Sequence, residues 1–132
     1  MLTTAASPLP SRTEEVAHTI IGCAITVHRL LGPGFIERIY RDALCLELNG
    51  AGVRFEREKP ITVKYRDWEI PGQRIDLIIQ DEVIVELKSV RRLRDIHRRQ
   101  LVSYLKAAKL RLGLLINFRT TVLKNGIRRV VV

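Results

Sequence analysis

The run Ile75-Asp76-Leu77-Ile78-Ile79 and, three residues on, Val83-Ile84-Val85-Glu86-Leu87-Lys88 decides how this chain is read. Side chains alternate between the two faces of a strand. Alternation puts Ile75, Leu77 and Ile79 on one face, and Asp76 with Ile78 on the other. On the second run Val83, Val85 and Leu87 share a face, opposite Ile84, Glu86 and Lys88. A three-residue turn at Gln80-Asp81-Glu82 pairs Ile79 with Val83, Ile78 with Ile84 and Leu77 with Val85. That register matches apolar residues with apolar residues and sets Asp76 opposite Glu86.

Two carboxylates facing each other across a sheet repel. Burying them unpaired costs several kcal/mol or raises a pKa. A divalent cation removes the conflict, because carboxylate oxygens are hard ligands that suit Mg²⁺. Lys88 adds a positive charge beside Glu86. The structural alternative is a Glu86–Lys88 ion pair on an exposed face, with Asp76 solvated.

Outward from these strands the pattern is helical. Ser11 and Glu14 have capping-box spacing, and Thr13 is a second candidate cap. Val16, Ile20, Ala24, Val27 and Leu31 then recur at helical intervals, up to a stop at Gly32-Pro33-Gly34. A second helix is expected over residues 35–48, with Ile36, Ile39, Tyr40, Ala43 and Leu44 on its apolar face. Glu37 shares a stripe with Tyr40 and Leu44 and borders that face. Residues 53–58 and 61–65 read as short strands around Pro60, an edge or bend residue. Trp68, near these strands, is assigned to the core. A third helix runs to about Lys109 on Leu93, Ile96, Leu101, Leu105 and Ala108. His97, Gln100 and Tyr104 lie on its apolar stripe, where polar groups need partners. Residues 112–118 read as a buried strand, Asn125-Gly126 as a turn, and residues 127–132 as a last strand. The order helix, helix, strands, helix, strand predicts a mixed α/β layer.

Arg91, Arg92 and Arg94 crowd the start of the third helix, with Arg98 and Arg99 after them. Cations there oppose the helix dipole, whereas arginine forks suit phosphate oxygens. The whole chain of 132 residues carries 23 basic and 14 acidic side chains, a net charge of +9. That balance favours a polyanionic partner, nucleic acid first. The length suits one domain, expected over residues 13–132 behind a mobile tail of residues 1–12. No apolar run is long enough to span a bilayer and no signal peptide is evident, so a cytoplasmic protein without membrane contact is expected. Cys23 and Cys45 are too few for a four-ligand metal site and are assigned to packing.

Gly34-Phe35-Ile36-Glu37-Arg38-Ile39-Tyr40 resembles the signature of the GxxExxY family. Residues 27–34, Glu86-Leu87-Lys88, Gln100 with Tyr104, and Gly113-Leu114-Leu115-Ile116-Asn117-Phe118 fit the same family. It is similar to the PD-(D/E)xK nucleases, closest to their RecB-like branch. The resemblance implies a restriction-endonuclease-like α/β core: helices on a small mixed sheet that contains a three-stranded antiparallel meander. It implies a nuclease dependent on Mg²⁺ or Mn²⁺, acting on nucleic acid, with DNA the expected substrate and a homodimer expected if both strands of a duplex are cut. Asp76 and Glu86 would hold the metal with the backbone carbonyl of Leu87, and Glu37 would join through water or a second ion. Lys88 would orient the attacking water, and Gln100 and Tyr104 would position phosphate. Arg91, Arg92, Arg94, His97, Arg98 and Arg99 would contact nucleic acid. Asp76 follows Pro71-Gly72-Gln73-Arg74-Ile75 and has no proline directly before it, which departs from the superfamily's pattern. The absence of a four-cysteine set excludes an iron–sulfur form. The alternatives are a non-catalytic module that binds nucleic acid or protein on the same fold, and a scaffold that pairs through residues 127–132.

Overall fold

A computed structural model describes residues 8–132. Helix α1 (Ser11–Leu31) and helix α2 (Glu37–Gly50) precede a meander of β1 (Phe55–Tyr65), β2 (Trp68–Ile79) and β3 (Val83–Lys88). Helix α3 (Asp95–Ala108) crosses to β4 (Leu112–Asn117), and a 3-10 turn (Leu123–Gly126) leads into β5 (Ile127–Val131). The sheet order is β1-β2-β3-β4-β5. Only β3 and β4 are parallel, so the sheet is mixed, and α3 is the crossover a parallel pair requires.

Each face of the sheet has its own core. Leu77, Ile79, Val83, Val85, Leu87, Leu114, Ile116 and Phe118 pack against Ile20, Ala24 and Val27 of α1 and Tyr40, Leu44 and Leu48 of α2. On the other face Ile75, Ile78, Ile84 and Leu115 pack against Leu101, Tyr104 and Leu105 of α3. Gly113 lets α3 come this close: a Cβ there would stand 2.7 Å from Leu101 Cδ1.

The expected β2–β3 register is observed, with Leu77 opposite Val85, Ile78 opposite Ile84 and Ile79 opposite Val83. The turn has three residues and no glycine; Gln80 and Asp81 take left-handed backbone at φ 56° and 54°. One expected face is wrong. Ile75 lies with Ile78 on the α3 side, not with Leu77 and Ile79. The alternation breaks at Asp76 and its neighbour on β1, Glu58, whose φ is 50°.

Other expectations are corrected. Ser11 and Thr13 do not cap α1. Pro10 precedes the helix and makes no side-chain cap. Thr13 instead donates to Glu82 Oε2 at 2.8 Å, tying α1 to the β2–β3 turn, and Glu14 pairs with Arg129. The helix thus begins inside the stretch expected to be a tail, and Leu9 packs on the core; residues 1–7 lie outside the described residues. The two expected strands are one, Phe55–Tyr65, which begins two residues later than expected and holds Pro60 inside it on the sheet's edge. Trp68 is not a core residue; it is 72% exposed.

Much of the Gly34–Tyr40 signature serves the frame. Tyr40 is fully buried and stacks on Phe118 with ring centroids 4.5 Å apart. Its hydroxyl donates to the Gly32 carbonyl and accepts from Phe35 N–H at 3.0 Å, which fixes the loop that delivers Glu37. Tyr40→Phe keeps the ring and strands both backbone groups. A loss of about 1–3 kcal/mol in urea unfolding is expected; an unchanged midpoint would mean water or another group holds the loop.

Candidate active site

The β2–β3 ladder stops at Leu77 and Val85, and two side chains continue it. Asp76 N–H donates to Glu86 Oε1 at 3.0 Å, and Leu87 N–H donates to Asp76 Oδ2 at 2.9 Å. The carboxylates therefore occupy the fork where the strands part, as the paired register predicts. Glu86 is only 4% exposed. Burial, and then the neighbouring Asp76 charge, push its carboxyl up to about 8.

Lys88 follows on the same face of β3. Its ammonium donates to Gln100 Oε1 at 3.4 Å, and its carbonyl accepts from Phe118 N–H at 2.9 Å. Asn117 steadies the chain beyond it. Its side chain accepts from Val90 N–H at 3.0 Å and donates to Val90 carbonyl at 2.8 Å. Tyr104, one turn from Gln100 on α3, is buried and bonded to the Gln73 amide. Burial raises its phenol, and the Glu86 and Asp76 charges add to that rise. Lys88, Gln100 and Tyr104 thus border the carboxylate fork from the α3 side.

Glu37 and Arg41 approach from α2. Glu37 is half-buried, and its carboxyl is raised by burial first and by Asp76 next. Among the described residues no three or more His, Cys, Asp and Glu side chains form a ready metal cluster. Glu37 therefore feels Asp76 electrostatically without closing a three-carboxylate cage. Arg41 lies 3.7 Å from Asp76 Oδ1 and 3.5 Å from Glu58, and its buried Nε has no hydrogen-bond partner. Arg41 and Gln73 are the two site neighbours that sequence reasoning missed. Arg41 was within reach, one turn after Glu37 on the same helical stripe. Gln73 carried no signal, because its place depends on how β2 bends.

The donor set fits a hard divalent cation. Two carboxylates meet, and one of them resists ionisation through burial first and the other's charge second. Asp76 Oδ1 and Glu86 Oε2 are the oxygens that accept no backbone N–H. Oxygen ligands of this kind, completed by backbone carbonyl and water, suit Mg²⁺ or Mn²⁺.

The basic residues lie just before α3 and on its first turns. Arg91, Arg92, Arg94 and Arg98 are exposed and make no ion pair among the described residues, whereas Arg99 pairs with Asp95 at 2.7 Å. His97 closes the start of α3: its Nδ1 accepts from Arg94 N–H at 2.9 Å, and its own N–H donates to Arg94 carbonyl at 3.0 Å. Burial, then Lys88 and Arg94, lower its pKa, so its imidazole favours the neutral form.

No match is found among curated proteins or solved structures. The family model of the PD-(D/E)XK nuclease superfamily matches residues 14–130, a span that holds the whole sheet but its last residue, the carboxylate fork and α3. Sequence match, mixed five-stranded sheet and the Asp76, Glu86, Lys88 arrangement agree, and the chain belongs to the PD-(D/E)XK nuclease superfamily.

Proposed function

We propose that this chain is a metal-dependent nuclease that hydrolyses phosphodiester bonds, with DNA as its substrate, and that its RecB-like and GxxExxY resemblance extends to that activity. The observation that carries the reading is the reciprocal insertion of Asp76 and Glu86 into the β2–β3 fork, with Lys88 two residues on. The superfamily generally uses divalent metals such as Mg²⁺.

Asp76, Glu86 and the Leu87 carbonyl would hold Mg²⁺ or Mn²⁺, with Glu37 acting through water. A cation bound there supplies Lewis-acid stabilisation of phosphate charge and acidifies water. Lys88, held at Gln100, orients the attacking water and steadies charge that develops on the phosphate. Gln100 and Tyr104 fix the phosphate's position, so the reacting atoms meet in line. The exposed arginines at the start of α3 and His97 hold flanking backbone. The products are a 5′-phosphate and a 3′-hydroxyl.

The test is incubation of single- and double-stranded DNA and RNA with Mg²⁺ or Mn²⁺, against the same mixtures in chelator. Cation-dependent cleavage that Lys88→Ala reduces about 10²-fold or more is expected. A folded protein that cuts none of these substrates overturns the reading. One observation favours a second reading, a binding module without catalysis: Arg41 already stands beside Asp76 as a built-in cation. It predicts cation-independent binding and no hydrolysis. In either case Arg91→Ala and Arg92→Ala should flatten the salt dependence of binding, by about one unit of slope for each phosphate no longer neutralised.

A further inference from the structure

The β1–β2 hairpin outruns the sheet. β3 pairs only with Leu77 to Ile79, whereas β1 and β2 continue together to Tyr65 and Trp68. The extension is a two-stranded arm. Between it and α3 lies a groove of about 750 Å³, lined in part by Lys64, Gln73, Gln100, Tyr104, Lys106 and Lys109. That volume is within the range of ligand clefts, roughly 300–1,000 Å³. Gln73, Gln100 and Tyr104 are also neighbours of the carboxylate fork, so the groove opens from the candidate active site. Lys64, Lys106 and Lys109 are exposed and make no ion pair among the described residues. Lys64 faces Glu69 across the arm, and Lys106 and Lys109 on and just after α3 are the groove's unopposed positive charges, which suit phosphates.

The arm also carries bare rings. Val63 pairs with Ile70, and Tyr65 with Trp68. Cross-strand partners share a face, so these four side chains form one apolar surface. Tyr65 is 57% and Trp68 72% exposed. Arg66 lies 5.6 Å from the centre of the Tyr65 ring. By alternation along β1, Val63 and Tyr65 keep the side that Ile61 turns toward α3. Between the Ile61–Gln73 and Val63–Ile70 pairs β1 advances two residues and β2 three, with the extra residue absorbed near Gly72, at φ 123°. The bulge twists the arm; Val63 lines the groove, and Tyr65 and Trp68 continue its face beyond the groove toward the arm's tip.

We propose that the arm and α3 together bind a single strand of nucleic acid leading away from the active site. Lys106 and Lys109 hold its phosphates, and Tyr65 and Trp68 stack its bases. Exposed aromatic rings beside a cationic track are what sequence-tolerant single-strand binding uses. A single strand is favoured over a duplex because the bare Tyr65 and Trp68 rings offer stacking faces only to unpaired bases. The inference rests on the nuclease reading, since the strand it binds is that enzyme's substrate. It assigns the chain to substrates with a single-stranded arm or end.

Trp68 is the chain's only tryptophan, so it reports on its own site. In chelator, where no cleavage occurs, oligodeoxythymidylate or oligouridylate should quench its emission saturably, and a blunt duplex of equal length should quench it little. Tyr65→Ala, and separately Lys106→Glu with Lys109→Glu, should each weaken single-strand binding about tenfold or more. Circular dichroism of each variant should match wild type, since these positions are exposed. Saturable binding without any change in emission, or unaltered affinity in both variants, overturns the proposal. So does a dimer in sedimentation that Trp68→Ala disperses while wild-type emission ignores oligonucleotide, because a second copy would then cover the arm. Quenching without cleavage in Mg²⁺ would sink the nuclease reading and leave the arm as a strand binder; cleavage without quenching would do the reverse.

Discussion

Asp76→Asn and Glu86→Gln should each lower cation-dependent cleavage by about 10³-fold or more, because several kcal/mol of transition-state stabilisation depends on the ion they would hold. Both substitutions keep volume and hydrogen-bonding capacity. An amide at position 76 still offers an oxygen to Leu87 N–H, and an amide at position 86 still offers one to Asp76 N–H, so the fork should stay closed. The loss should therefore appear in kcat with the fold intact, and binding of uncleaved DNA should hold steady or tighten as negative charge is removed. Lys88→Ala should cost less than either carboxylate variant, since its ammonium supports the phosphate but holds no ion. Cleavage by either carboxylate variant within a few-fold of wild type would exclude this site.

The second large effect is on stability. The folded protein keeps the Glu86 proton up to about pH 8, whereas an unfolded glutamate releases it near its ordinary value, roughly 4.3. Between those pH values the folded state binds more protons, so stability falls as pH rises. Below the lower value both states are protonated and the full contribution is present. Above the upper one it is lost and the curve flattens. The loss without divalent cation should be on the order of 3–5 kcal/mol, because a tenfold difference in proton affinity is worth about 1.4 kcal/mol. Mg²⁺ or Mn²⁺ should restore it at pH 8 and do little at pH 5, because cation binding and carboxyl protonation compete. Glu86→Gln should flatten this part of the profile and abolish the cation's effect. Chelated wild type that is as stable at pH 8 as at pH 5, measured against Glu86→Gln, would contradict the account of Glu86 as a buried acid held in conflict with Asp76.

Sequence periodicity carried the parts of this fold that depend on near neighbours along one chain segment. The β2–β3 register was legible because Leu77, Ile78 and Ile79 find apolar partners in only one alignment with Val83, Ile84 and Val85. With the register came the meeting of Asp76 and Glu86. Gln100 and Tyr104 were legible for a related reason: polar side chains on the buried stripe of α3 must point at something polar. Thr13 was misread, since its partner Glu82 is 69 residues away and no local pattern announces it.

The chain by itself determined the alternating strands, the apolar helix stripes and the pairing that draws the two carboxylates together, because each follows from a repeat of two or 3.6 residues and the removal of apolar surface from water. Only the tertiary structure decided which face Ile75 takes, that Arg41 stands beside Asp76, that Gln73 reaches Tyr104, and that Trp68 is bare on an arm. Those outcomes depend on a left-handed residue at Glu58, a bulge near Gly72 and a hairpin longer than its neighbouring strand. Such features rest on contacts between elements distant in sequence, where one rotated peptide reverses a face that periodicity alone assigns.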